Sequence, residues 1–284
     1  MGGVSTGLLV LVATVWGVLA GTLLPRAAYR FTVPSGEPWR DRCPDGHPVR
    51  GWLGGAACGQ CASGATHTGA DPQPGAPSAS YTPSHAPSAS DTPSLGPSAS
   101  SAPSHAPSGV LLATVTALVC AALAAATGTR PELAVWLLLA PVGVLLAAVD
   151  FRVQRLPDPL TLPLTGTALA LLGLTVLLPE HAGHWRTALY GALALGAGYY
   201  VLYRINPGGM GFGDVKLAVG SGAVLGWYGW PTVLLGTFAA FLLGALYGGA
   251  LVLARRAGRK TAVPFGPFLL AGTLTGLLVG AYTA

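Results

Sequence analysis

The chain has 284 residues, of which 51% are hydrophobic and only 9% are charged, and its mean hydropathy is +0.57. This balance is typical of an integral membrane protein and excludes an ordinary soluble globular domain. If the N-terminus is external and the spans alternate, thirteen of the fifteen Lys and Arg residues fall on the cytoplasmic side. Short cytoplasmic loops concentrate these residues, so the net charge of +5 reflects membrane topology and does not indicate nucleic-acid binding.

The uncharged stretches predict an all-α, polytopic membrane protein with about eight transmembrane helices and a cytoplasmic, partly disordered insert. Residues 1–25 lack the basic start of a signal peptide, so they are expected to remain as the first transmembrane helix. The run 217–254 is long enough for two spans, which Trp227 to Pro231 would separate at the membrane surface. The remaining stretches are 109–130, 133–149, 159–179, 187–203 and 261–284, and the short ones are expected to extend into flanking polar sequence.

Residues 26–75 form a polar, cytoplasmic segment that holds three of the four cysteines. Tetrahedral zinc prefers thiolate and imidazole ligands, and this segment offers Cys43, His47, Cys58 and Cys61. The alternative is a degenerate remnant whose cysteines stay reduced in the cytoplasm. Cys120 stands alone within a span, where the simplest interpretation is a small apolar packing residue.

Residues 76–108 repeat in units of ten, rich in Pro and Ser, with few side chains larger than Ala. Such a segment cannot bury a core, because proline removes backbone donors and serine keeps the backbone solvated. The repeat therefore predicts an extended, disordered linker between the cysteine-containing segment and a membrane domain over 109–284.

Two aspartates stand at the cytoplasmic edge of apolar spans. Asp150 ends one span, and Asp214 follows a glycine-rich turn that begins at Asn206. A carboxylate at the edge of hydrocarbon is costly and usually functional, and glycines let backbone approach another chain closely. Two neighbouring carboxylates can share a proton, so that one activates water while the other protonates the substrate. Asp158 competes for this role, but its flanking prolines indicate that it caps the next helix.

Lys216 follows Asp214 by two residues and has three interpretations. It could stabilise the charged form of Asp214, or it could bind a carboxylate of a substrate. The interpretation favoured by its place beside a span is a cytoplasmic anchor for the helix.

Three motifs in order resemble the prepilin peptidases, which are membrane aspartic proteases of the Gly-x-Gly-Asp type. They are Asp150-x5-Leu-Pro157-Asp158, then Gly211-Phe-Gly213-Asp214-Val-Lys216, then Pro264-Phe-Gly-Pro267. The resemblance implies that Asp150 and Asp214 are the catalytic pair, with Gly211, Gly213, Lys216, Pro157 and Asp158 as supporting motif residues. It implies cleavage of the leader of type IV prepilin-like precursors at the cytoplasmic face of the inner membrane, without a cofactor.

The resemblance extends to the cysteines, because many members carry two Cys-x-x-Cys pairs in a cytoplasmic segment linked to N-methylation of the new pilin terminus. Here one cysteine of the first pair is absent, and the sequence after Cys61 runs into the Pro/Ser repeat. We therefore expect no N-methyltransferase activity and no S-adenosylmethionine cofactor, with zinc as the one possible bound metal.

Two other classes of function use the same residues. A membrane transporter could bind a cation or a proton at Asp150 and Asp214, although no counterpart of the turn 208–216 occurs in the first half of the chain. An inactive scaffold for pilus assembly would keep the fold without needing either aspartate. The expected partners are prepilin-like precursors and the lipid bilayer.

Overall fold

The computed structural model describes residues 5–34, 36–55, 58, 60, 61, 108–254 and 264–284. Over these ranges the chain forms eight α-helices and no strand, which confirms an all-α fold. The helices are α1 (Thr6–Phe31), α2 (Gly109–Thr127), α3 (Glu132–Val153), α4 (Asp158–Thr175), α5 (Trp185–Ile205), α6 (Phe212–Trp227), α7 (Trp230–Leu253) and α8 (Gly266–Thr283). The predicted linker, apart from Ser108, lies outside the described residues, as does the basic loop 255–260.

Length and composition suit five of the described helices for crossing a membrane, namely α1, α2, α3, α7 and α8. The run 217–254 divides between α6 and α7 at Tyr228 and Gly229, as predicted. The two short stretches also extend as predicted, because α3 begins at Glu132 and ends at Val153, and α5 runs from Trp185 to Ile205. These helices therefore continue beyond the uncharged stretches that revealed them.

The predicted end of the first helix at residue 25 is wrong. Helix α1 continues through Pro25 to Phe31 and so includes Arg26 and Arg30. The sequence located the end of the apolar stretch, whereas the helix itself persists past the first charged residues. Its last turns thereby present two arginines to the segment that follows.

Helix α6 lies at the centre of the bundle, where it contacts α4, α5, α7 and α8. Every residue from Gly220 to Trp227 is buried. Its contact with α5 is made by backbone, because a Cβ added at Gly222 would lie 2.2 Å from the carbonyl oxygen of Gly191. Small residues allow such close approach between helices in membranes. Asp214, in the first turn of α6, is thus held by the most enclosed of the eight described helices.

The cysteine-containing segment packs against the end of α1. Arg26 Nη1 donates to the carbonyl oxygen of Arg50 at 3.0 Å, and Arg30 Nη1 donates to that of Gly51 at 2.8 Å. The Arg30 guanidinium also lies 3.9 Å from the centre of the Trp52 ring. Arginines that the sequence counted only as topology signals therefore hold this segment against the last turns of α1.

Candidate active site

Asp150 lies near the end of α3 with only 4% of its surface exposed. Its Oδ2 accepts a hydrogen bond from the backbone N–H of Gly266, at 3.1 Å. Gly266 is the first residue of α8, and the first N–H groups of a helix have no partner within the helix itself. The start of α8 therefore supplies both a donor and the positive end of a helix dipole to Asp150.

Asp214 lies in the first turn of α6 and is 6% exposed. Its Oδ2 accepts a hydrogen bond from the backbone N–H of Gly211, at 3.2 Å, which closes the start of the helix. Each aspartate thus has one oxygen held by a backbone donor, and the two donors come from the second and third sequence motifs.

Leu156 packs against two glycines, Gly213, which precedes Asp214, and Gly266, whose N–H donates to Asp150. A Cβ added at Gly213 would lie 2.9 Å from Cβ of Leu156, and one added at Gly266 would lie 3.5 Å from its Cδ1. The Cβ at Gly266 would also lie 2.7 Å from Oδ2 of Asp150. The sequence predicted that glycines of the turn would allow close approach to another part of the chain. Gly213 does so, because a side chain at this position would collide with Leu156.

Both aspartates line one cavity of about 490 Å³. The glycine-rich turn forms one wall, and the turn between α3 and α4 forms another. Charged side chains stand among the lining residues, which include Asp150, Arg155, Asp158, Asp214 and Lys216. The structure therefore brings the motif residues predicted from the sequence to one place, at one end of the bundle.

Asp158 does not cap α4 through its side chain, so that prediction is wrong. The N-cap is Pro157, which makes no side-chain cap, and Asp158 is the first helical residue, with Pro159 in the first turn as expected. The carboxylate of Asp158 instead pairs with Nζ of Lys216 at 2.7 Å. Lys216 is therefore more than an anchor, because it ties the start of α4 to α6. The Asp158 side chain is 56% exposed, in contrast to both other aspartates.

The four predicted metal ligands lie together, with ligand atoms from Cys43, His47, Cys58 and Cys61 all within 4.8 Å of one another. Sγ of Cys43 lies 3.7 Å from Sγ of Cys61 and 3.6 Å from Nδ1 of His47, which lies 3.4 Å from Sγ of Cys61. Tetrahedral zinc, with Zn–S of about 2.3 Å and Zn–N of about 2.0 Å, separates its ligand atoms by about 3.5 to 3.8 Å. The spacing of these atoms thus fits the dimensions of a zinc site.

Hydrogen bonding also favours a thiolate in this cluster. The backbone N–H of Cys61 is the main group that lowers the pKa of the Cys58 thiol, to about 7. Thiolates are the form in which cysteines bind metals. Asp45 acts in the opposite direction on Cys61, because its carboxylate accepts a hydrogen bond from that thiol at 3.1 Å and raises its pKa.

Three residues of this region were given no role from the sequence: Arg155, Leu156 and Gly266. Leu156 and Gly266 stand inside motifs that were recognised, so their motif membership was the available signal. What the sequence could not supply was their contacts, since Leu156 meets residues 57 and 110 positions away (213 − 156 and 266 − 156). Cys120 is fully buried in the core, as its solitary position predicted.

Comparisons with known proteins agree with the motifs. Residues 134–249 match the profile of the type IV leader peptidase family. A prepilin leader peptidase/N-methyltransferase of Aeromonas salmonicida (strain A449) is 39% identical over 154 residues, which cover 51% of this chain and 48% of that protein. A protein of the same description from Escherichia coli (strain K12) is 37% identical over 140 residues, which cover 46% of this chain and 57% of its own length.

The chain therefore spans about half the length of the curated relatives it matches. No solved structure matches it significantly. The matched region contains Asp150, Leu156, Asp158 and Asp214. The resemblance predicted from the motifs is thus confirmed, and residues 134–249 are similar throughout to the type IV leader peptidases.

Proposed function

We propose that this protein is a membrane aspartic endopeptidase that cleaves the leader of type IV prepilin-like precursors. The observation that carries the proposal is the pair Asp150 and Asp214, two buried carboxyls from separate helices that line one cavity, each held by a backbone N–H. Burial of two carboxyls beside one cavity is costly, and such arrangements are a feature of acid–base sites. The two relatives described above as prepilin leader peptidase/N-methyltransferases agree with this activity.

In this mechanism the productive pair shares one proton. The charged carboxyl removes a proton from a water molecule, whose oxygen attacks the scissile carbonyl, while the protonated carboxyl donates its proton to the carbonyl oxygen. When the C–N bond breaks, the carboxyl that took the proton from water gives it to the leaving amine, and the other carboxyl recovers its proton from the hydroxyl of the collapsing intermediate. The N–H groups of Gly211 and Gly266 hold the carboxyls in place while their charges change. Because both protonation states are needed, we expect cleavage to decline on either side of a pH optimum that belongs to the pair.

We place the site at the cytoplasmic face of the inner membrane. The cations around this end of the bundle support that side, because Arg26, Arg30, Arg155 and Lys216 all lie at or near it. Short loops rich in Lys and Arg remain cytoplasmic during insertion. A precursor with an apolar helix embedded in the membrane would present its leader to a cavity on that face.

A zinc ion held by Cys43, His47, Cys58 and Cys61 would be structural. When bound to four protein ligands, zinc cross-links the residues that hold it and stabilises their fold. None of the four is among the residues that line the aspartate cavity, so we expect the chemical step to use the carboxyl pair without zinc. Metal analysis of the purified chain should find at most one zinc, and Cys43→Ser should abolish it; a Cys43→Ser protein with undiminished zinc would contradict this ligand set.

The cleavage proposal is tested by expressing the full chain in membranes with a tagged prepilin and following the processed band. We expect processing by the natural sequence and none by Asp214→Asn at matched expression. A natural chain that leaves the precursor intact would overturn the proposal, and so would an Asp214→Asn variant that processes it normally. N-methylation is no part of the proposal, because the first cysteine pair is incomplete.

A further inference from the structure

The turn between α3 and α4, residues 154–157, separates the cysteine segment from the aspartate cavity. Its first residue, Gln154, has the left-handed backbone conformation, with φ 52° and ψ 41°. A residue other than glycine pays a conformational penalty there, and such a conformation persists only where the surroundings hold it. The two residues that follow, Arg155 and Leu156, make contacts on opposite sides of the turn.

Arg155 reaches the cysteine segment. Its Nη1 donates to the carbonyl oxygens of Pro34 at 3.0 Å and Glu37 at 3.2 Å. Its guanidinium carbon lies 4.1 Å from the centre of the Trp39 ring, within the range of a cation–π interaction. Trp39 packs edge-on against Phe31 at the end of α1, with ring centres 5.1 Å apart. These contacts form only while Pro34, Glu37 and Trp39 keep their places beside the turn.

Leu156 reaches the aspartates. It is buried and lies against Gly213, which precedes Asp214, and against Gly266, whose N–H binds Asp150. A displacement of the turn would therefore shift Gly213 and Gly266, and with them the backbone next to each aspartate. Through Leu156, the position of this turn therefore influences the distance between the two carboxyl groups.

We propose that the cysteine segment positions the catalytic aspartates through Arg155. This inference rests on the proposed peptidase function, and it makes Arg155 a positioning residue that holds the turn to Pro34, Glu37 and Trp39, while Leu156 packs against Gly213 and Gly266. The segment thereby contributes to peptide cleavage itself. The role follows from the contacts of Arg155 with the carbonyl oxygens of Pro34 and Glu37 and with the ring of Trp39, and it does not require methyl transfer.

The kinetic test compares kcat and KM of prepilin cleavage by purified full-length variants in lipid vesicles. A misplaced catalytic group lowers the chemical step, so Arg155→Ala should reduce kcat by about 10- to 100-fold with KM changed by less than about twofold. Arg155→Lys should recover part of the loss, because it keeps the charge over Trp39 but loses the planar fork. A kcat of Arg155→Ala equal to that of the natural protein would overturn the proposal. A raised KM with unchanged kcat would also overturn it, because it would assign Arg155 to substrate binding.

A second arm removes the contact from the other side. Trp39→Leu leaves Arg155 in place and should lower kcat in the same direction, and the double variant should be little worse than Arg155→Ala, because residues acting through one contact are not additive. This variant also carries the test if Arg155→Ala fails to fold. Arg40→Ala is the matched control, since its guanidinium lies over Tyr29, at 5.1 Å, and not over the turn; it should retain natural kcat.

Hydrogen exchange supplies a readout that needs no substrate. In Arg155→Ala and Trp39→Leu, peptides over 150–158 and 211–214 should exchange faster than in the natural protein, while peptides at the other end of α3 should not change. Unchanged exchange over 150–158 contradicts the coupling even if the natural protein proves inactive. Failure of the natural protein to cleave would instead count against the peptidase function.

Discussion

Helix α3 carries a buried carboxyl near each end, and the two differ in their surroundings. Glu132 and Asp150 are 18 residues apart (150 − 132), which is about 27 Å along a helix. Glu132 is fully buried, and its Oε1 accepts from the N–H of Ala182 at 3.2 Å and from the hydroxyl of Tyr228 at 3.4 Å. Asp150 has the Gly266 N–H and lines a cavity.

The difference shows why burial of a carboxyl does not by itself identify a catalytic site. Glu132 joins the loop at Ala182 and the helix junction at Tyr228 to the start of α3, which is a packing role. Asp150 is nearly as buried, yet it shares a cavity with a second aspartate. Asp150 differs from Glu132 in that it lines a cavity and shares that cavity with a second carboxyl group. Variants at the two ends of α3 should therefore differ in their effects.

The largest effect is expected at the aspartate end. Asp150→Asn and Asp214→Asn preserve size but remove the acid or the base, so each should lower cleavage by about 100-fold or more. The measurement is prepilin processing in membranes at matched expression, with Glu132→Gln as the control that should process normally. Normal processing by Asp150→Asn together with inactivity of Asp158→Asn would show that the wrong aspartate of the first motif has been chosen.

The support of Asp150 can be disturbed without changing any carboxyl. An added methyl at Gly266 would lie 2.7 Å from Asp150 Oδ2, so Gly266→Ala should displace that side chain and lower cleavage by about 10-fold or more. Gly143→Ala is the matched control on α3, because its added Cβ would meet Leu270 at an ordinary 3.8 Å. Equal activity of the two variants would mean that the Gly266 contact does not position Asp150.

At the opposite end the expected effect is on stability. Glu132→Ala leaves the Ala182 N–H and the Tyr228 hydroxyl without their acceptor, which should lower the free energy of unfolding by about 1–3 kcal/mol. Thermal unfolding in detergent measures the change, and cleavage below the unfolding temperature should remain near that of the natural protein. A large loss of cleavage with unchanged stability would remove the contrast between the two ends.

The smallest effect is expected for the exposed acid of the cavity. Asp158→Asn breaks the pair with Lys216, and such pairs at the surface are worth about 0.2–1 kcal/mol. Cleavage should therefore stay within a few-fold of the natural value, and Lys216→Gln should behave alike. High salt should narrow any difference between these variants and the natural protein, because exposed pairs are screened.

The sequence predicted the class of fold, the helices and the motif residues of the site because each leaves a local signal. Apolar runs indicate membrane spans. A charged residue at the end of such a run, like Asp150, stands out because a carboxylate at the edge of hydrocarbon is energetically costly. Side-chain partners leave no such signal. The prolines beside Asp158 suggested a helix cap, but its carboxylate pairs with Lys216 instead, and this pairing depends on how α4 packs against α6.

Long-range contacts explain the other differences. Arg155 looked like a topology signal, and its contacts with Pro34 and Glu37 arise only when the cysteine segment folds against the end of α1. Glu132 was missed because it sits at the border of an uncharged stretch, where an acid at the start of a helix is unremarkable. The cluster of Cys43, His47, Cys58 and Cys61 was predicted because short loops bring Cys and His together by spacing alone.

The burial of α6 also bears on how the protein is made. This helix has only 16 residues, so it is shorter than each of the five helices whose length and composition suit them for crossing a membrane, and it carries Asp214 in its first turn. Helix α5 precedes it in the chain and meets it backbone to backbone at Gly191 and Gly222, so we expect the two helices to enter the bilayer together as a hairpin. The fit between these two helices therefore affects biogenesis, because a bulky residue at their contact would leave an aspartate-bearing segment stranded at the membrane surface before the rest of the chain is translated.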